Sequence, residues 1–171
     1  MTAADRVTLR EWRRADINAV ASYANNRKLW INMRDRLPYP YRCAHARAWI
    51  AHCAAQTGPA TQFAIDLDGS AVGAIGFERF SDVHRLGAEI GYWVGEPFWG
   101  KGIATAAAIR ATEYGFATLG LVRIQAMVFE WNTASARVLE KAGYVLEGRM
   151  RRSIIKDGRI ADSLLYARIR T

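Results

Sequence analysis

The stretch Gly91 to Ala108, GYWVGEPFWGKGIATAAA, sets Gly95, Gly100 and Gly102 around Lys101, directly before an alanine-rich run. Glycines let a backbone turn tightly and come close to a ligand, and the first turn of a helix carries N–H groups that have no intrahelical acceptor. With the positive end of the helix dipole, such donors suit a pyrophosphate. The chemistry on offer here is therefore the cradling of a phosphate ligand.

What the turn lacks narrows the ligand. Gly95, Gly100 and Lys101 have the spacing of a P-loop, but Gly102 follows where a Ser or Thr hydroxyl should hold magnesium. The dinucleotide fingerprint G-x-G-x-x-G fails as well, because Thr105 stands at its third glycine and the turn falls beyond mid-chain. Nearby, Glu89 lies among Ala88, Ile90, Gly91 and Tyr92, where a carboxylate half out of water would have its pKa raised and could take up a proton. A solvated strand residue, or an ion pair with Arg85 or Arg123, would account for Glu89 equally well.

The turn, read as Trp99-Gly100-Lys101-Gly102-Ile103-Ala104, resembles the acetyl-CoA segment of the GNAT superfamily of N-acetyltransferases: Gln or Arg, two residues, Gly, one residue, then Gly or Ala. Trp99 departs from that pattern at its first position. A second segment of the family, Asn-x-x-Ser followed by Gly and an aromatic, is matched by Asn132, Ser135, Gly143 and Tyr144. FEWNTASARVLEKAGYVLEG, with the opening VTLREWRRADINAV, is most similar to the RimJ/RimL-like branch of ribosomal-protein N-terminal acetyltransferases.

The resemblance implies acetyl-CoA as cosubstrate, held by Tyr92, Trp93, Val94, Trp99, Gly100, Lys101, Gly102, Ile103, Ala104, Thr105, Asn132 and Ser135. An amine attacks a thioester only as the free base, so a transferase needs a proton acceptor, an oxyanion donor and a group on the thiolate side. Glu89 is the candidate base. By motif alignment the backbone N–H of Tyr92, on a strand the family splays with a bulge, is the oxyanion donor, and Val94 pairs with the pantetheine arm. Ser135 falls on the thiolate side, since Leu139 occupies the position where many relatives carry a tyrosine acid. By residue type alone, Asn132 is equally a helix N-cap, and Tyr166 is better read as a core tyrosine with its hydroxyl satisfied.

Substrate choice is assigned to the loop Trp30 to Tyr41, with Trp30, Arg34 and Tyr39 as its binding residues, and to the closing hairpin. The acceptor implied is an amine, a ribosomal or other protein N-terminus first and a small amine second. A homodimer is allowed. A CoA-binding module without catalysis is the rival from another class.

These residues need elements to position them. Val7 to Trp12 reads as a strand, Asp16 as the N-cap of a helix to about Asn25, and Arg42 to Gln56 as a second helix stopped at Gly58-Pro59. Phe63, Ile65 and Leu67 alternate on one face of a strand, and Asp68-Gly69 turns it into another over Ala71 to Phe80. Leu86 to Val94 leads into the phosphate turn, a helix runs from Ile103 to Thr118, and Val122 to Val128 alternates again. Asn132 begins a short helix to Lys141, and Tyr144 to Ile155 pairs with Ser163 to Ile169 around Lys156-Asp157-Gly158-Arg159. The order predicts a single α/β (α+β) domain over residues 1–171. The fold implied by the family is the GNAT one, a mixed, mostly antiparallel sheet flanked by helices.

Composition agrees with that reading. The chain is 51% hydrophobic and 23% charged, which describes a folded domain rather than a disordered one. No apolar run reaches the roughly 20 residues of a membrane span, and the N-terminus has no signal-like core, so a cytoplasmic location is the default. Cys43 and Cys53 stand about 15 Å apart by helical rise, too far for a disulfide, and no four-ligand zinc set can be written. No metal is expected. The net charge of +8 and the cluster Arg149, Arg151, Arg152 invite a nucleic-acid reading, but the basic residues are spread along the chain and equally serve an anionic cosubstrate. A direct nucleic-acid substrate is not expected.

Overall fold

The computed structural model describes residues 2–171. In chain order the elements are β1 (Val7–Arg10), α1 (Ile17–Ala24), the single turn α2 (Arg27–Trp30), α3 (Cys43–Ala54), β2 (Gln62–Leu67), β3 (Ser70–Arg79), β4 (Gly87–Val94), α4 (Ile103–Ala117), β5 (Arg123–Phe129), α5 (Thr133–Lys141), β6 (Val145–Lys156) and β7 (Arg159–Ile169). The strands form one sheet in the order β1-β2-β3-β4-β5-β7-β6. Every neighbouring pair is antiparallel except β4 with β5.

Side-chain alternation sorts the sheet into two faces. On β4, Ala88, Ile90 and Val94 are buried in the main core, with Tyr92 packed against it beside α4 and α5. Trp93, one residue out of phase, packs instead with Val20, Ala21, Ala24 and Ala46 of α1 and α3. Helix α4 lies close on the sheet because its inward positions are small: Ala107, Ala108, Ala111 and Thr112 are fully enclosed. At Gly115 a Cβ would come within 2.8 Å of Ile124 Cδ1, so that contact admits only glycine unless the isoleucine moves.

Several boundaries differ from the sequence reading. Asp16 does precede α1, but its carboxylate makes no cap to that helix; it receives two hydrogen bonds from Arg10, at 2.8 and 2.9 Å, which also binds Asp66 at 2.6 Å. That partner compensates the burial of Asp66, and the expected Phe63-Ile65-Leu67 alternation breaks there, where the β2–β3 register shifts between Ile65 and Asp66. Trp30 closes the turn α2 rather than opening a loop, and β7 begins at Arg159, so the last hairpin is tighter than expected. Cys43 and Cys53, both on α3, are free thiols.

Candidate active site

The expected bulge in β4 is not there: its register with β3 runs unbroken from Arg79↔Ala88 to Gly73↔Val94. The sheet opens on the other side. Strands β4 and β5 pair only at Gly87↔Arg123, Ala88↔Ile124 and Glu89↔Gln125, after which β5 continues with β7 alone. From Ile90 onward β4 is one wall of a wedge.

The polar groups on that wall follow from the ladder. Gly95 N–H donates to Val72 O at 2.8 Å, which makes Gly73↔Val94 a pair without mutual hydrogen bonds. The N–H and C=O of Val94, and two residues back those of Tyr92, therefore point away from β3 and into the wedge. One of these four groups is already occupied. The Trp99 indole Nε1–H donates to the Val94 carbonyl at 2.6 Å, which gives a structural role to the residue that departs from the family pattern.

Beyond the wedge the chain turns through Gly100 and Gly102, both left-handed, at φ +74° and +75°, a conformation that glycine adopts without strain. Ala106 N–H, bonded to Gly102 O, is the first in α4 to find a backbone acceptor; those of Gly100, Lys101, Gly102, Ile103, Ala104 and Thr105 donate to no backbone carbonyl among the described residues. Nothing of the protein lies within 4 Å of a Cβ at Gly100, and at Gly102 only Ala4 Cβ does, at 3.4 Å. The turn is an open nest of donors, and it fits a pyrophosphate. Lys101 is folded back, its Nζ donating to Pro97 O at 2.8 Å.

On the α4–α5 face of the wedge Asn132 caps α5, its Oδ1 accepting from Ser135 N–H at 3.2 Å. That leaves its amide NH2 end for a ligand. Ser135 Oγ lies 2.8 Å from the Tyr92 phenol oxygen, a contact the sequence reading missed although the alternation Ala88, Ile90, Tyr92, Val94 puts the ring on that face. Burial raises the Tyr92 phenol well above the ordinary tyrosine value, and the hydrogen bond to Ser135 offsets this only in part. Leu139 is fully buried, while Tyr166 is a core residue whose hydroxyl donates to Glu140 at 3.2 Å.

Glu89 lies one position out of phase with Tyr92, on the α1–α3 face. Its partner is neither Arg85 nor Arg123 but Arg34, which also reaches Glu78, at 3.5 Å, across the β3–β4 ladder. The expected base and one expected substrate-binding residue thus meet. Around them the loop after α2 is tied down by side chains: Asn32 Oδ1 accepts from Trp131 Nε1 at 3.0 Å, and Arg36 pairs with Glu78 at 3.0 Å. The buried Lys156 donates to Asp35 at 2.8 Å and sits 3.6 Å over the Trp30 ring. Trp30 and Tyr39, 5.7 Å apart between ring centroids, wall a groove with Pro38, Ile155 and Asp157. Of the basic cluster, Arg149 is neutralised by Glu130 and Asp162.

Residues 6–145 match the family described as the Acetyltransferase (GNAT) domain. The chain is 33% identical over 117 residues to the ribosomal-protein-serine acetyltransferase of Escherichia coli (strain K12), covering 67% of this chain and 63% of that one. With the spermidine N(1)-acetyltransferase of the same strain it shares 26% over 164 residues, 96% of this chain and 86% of that one. Two other curated relatives, more similar over shorter stretches, are spanned over about half their length, 54% in each case. Among solved structures, Mycobacterium smegmatis RimJ in complex with CoA-disulfide superposes with a TM-score of 0.86 at 29% identity, covering 98% of this chain and 84% of that one.

Proposed function

The chain belongs to the GNAT acetyltransferase family, and from that premise we propose that it moves the acetyl group of acetyl-CoA to a primary amine, a protein N-terminal α-amine in the first instance, by direct attack in a ternary complex. The observation that carries the reading is the wedge itself. Unpartnered backbone amides on β4 lead straight into a nest of N–H donors at the start of α4, a path suited to a pantetheine arm and then its pyrophosphate.

The two faces of β4 divide the roles. Glu89, on the face of the Trp30–Tyr41 loop, takes the ammonium proton directly or through water, so the amine approaches from that side. The Tyr92 N–H receives the negative charge that develops on the carbonyl oxygen as the C–N bond forms. Ser135, on the opposite face, serves the sulfur as the C–S bond breaks and its electron pair leaves with coenzyme A. Neither cysteine stands on β4, where an acyl-enzyme thiol would be needed. The acceptor assignment draws on the kinship with ribosomal-protein acetyltransferases and on a groove walled by Trp30 and Tyr39 that is open to a chain end.

A mass-spectrometric screen of the purified protein with acetyl-CoA tests the reading against a set of N-terminal peptides and small amines. Acetylated peptide α-amines are the expected products. Modification of polyamines, amino acids or an antibiotic alone would transfer the acceptor to that class, and acetyl-CoA binding without any transfer would make the chain a CoA-binding module.

A further inference from the structure

Tyr92 carries two groups toward the wedge region, and the role proposed above uses only its backbone. The phenol oxygen lies 2.8 Å from Ser135 Oγ and 3.3 Å from the Ser135 carbonyl oxygen. The phenol has one proton and a carbonyl can only accept, so a proton shared between the two oxygens in a three-centre bond has its main branch on the nearer Ser135 Oγ and its weaker branch on the carbonyl. In that arrangement Ser135 Oγ accepts the phenol hydrogen bond and keeps its own hydroxyl proton for another acceptor. Ser135 is further fixed from its backbone side, where Asn132 Oδ1 accepts its N–H at 3.2 Å.

We infer that Tyr92 is a positioning residue whose phenol holds the Ser135 hydroxyl as a donor aimed at the leaving sulfur, in place of the tyrosine that Leu139 replaces. The inference rests on the acetyl-transfer reading and adds a residue to it. No proton leaves Tyr92. Burial keeps the phenol protonated throughout the working range, which makes it a poor acid and a constant donor. The Ser135 O–H is thereby polarised toward the thiolate as charge collects on sulfur, and a bond that strengthens only in the transition state appears in turnover rather than in binding.

Tyr92→Phe removes the hydroxyl and leaves the backbone N–H where it is. Coenzyme A release is followed with a seryl peptide or spermidine, or with water as acceptor if neither is taken, and acetyl-CoA affinity is measured separately. The expected result is a fall in kcat of about tenfold, roughly the worth of one hydrogen bond, with acetyl-CoA affinity and melting temperature close to those of the parent. In a Ser135→Ala background Tyr92→Phe should have no further effect, whereas in Ser135→Thr, which keeps a hydroxyl, the loss should return. An unchanged kcat in Tyr92→Phe, or the same fold loss with and without the Ser135 hydroxyl, overturns the inference alone. Failure of the unsubstituted protein to bind acetyl-CoA overturns the acetyl-transfer reading and the inference with it.

Discussion

The two sides of the wedge are built on opposite plans. On the side of α4, the N–H groups from Gly100 to Thr105 have no backbone acceptor among the described residues, and the glycines that aim them leave open space in front. Across β4, the charged side chains are already matched: Arg34 with Glu89 and Glu78, Lys156 with Asp35, Arg27 with Asp157. A ligand of the first side displaces water but breaks no bond within the protein. A ligand of the second enters by exchange, since an incoming ammonium must take from Arg34 its hold on Glu89. A preformed nest therefore favours affinity for one invariant ligand, and an exchangeable ion pair favours discrimination between competing ones.

The contrast can be broken most sharply at Glu89. Glu89→Gln should lower turnover by about a hundredfold at neutral pH with acetyl-CoA affinity unchanged; calorimetry together with rates from pH 6 to 9 checks both halves, and a wild-type rate would leave Glu89 only its ion pair. Next in size is Gly102→Ala. At φ +75° an alanine is strained by about 1 kcal/mol, and relief of that strain re-aims the donors, so acetyl-CoA should bind about tenfold more weakly while the protein still unfolds cooperatively. Unaltered affinity in a folded variant would remove the nest from the cofactor's path. The smallest effect belongs to Asn132, whose observed bond is the helix cap: Asn132→Ala should lose about 1 kcal/mol of stability, read as a lower melting temperature without cofactor. A rise in the half-saturation constant for acetyl-CoA in the same variant would show that its NH2 end also reaches the pantetheine.

The same division marks what could be read in the sequence. The nest is local: strand, glycines and helix are contiguous, and Asn132 stands three residues from the N–H it caps. Periodicity places all seven strands and the main helices, with errors at ends such as Arg159, where turn geometry decides. The loop's anchors are not local. Arg34 is 55 residues from Glu89 and Asp35 is 121 from Lys156, and only the strand order brings them together. Nothing in the composition around Glu89 distinguishes Arg34 from Arg85 or Arg123, which turn instead to Asp82 O and Glu147. The absent bulge has a similar cause, because a parting of parallel strands leaves no mark on either strand's own alternation.

That parting has a mechanical consequence. With only three rungs joining β4 to β5, the sheet is two leaves, β1 to β4 and β5 to β7, on a narrow spine, and α4 and α5 lie along the gutter. A long ligand seated between the leaves bonds to one of them along β4 and rests on the cap of α5 that belongs to the other. Acetyl-CoA would thus act as stitching: its binding energy would add to the core that both leaves share and would be felt as resistance to opening of the whole book.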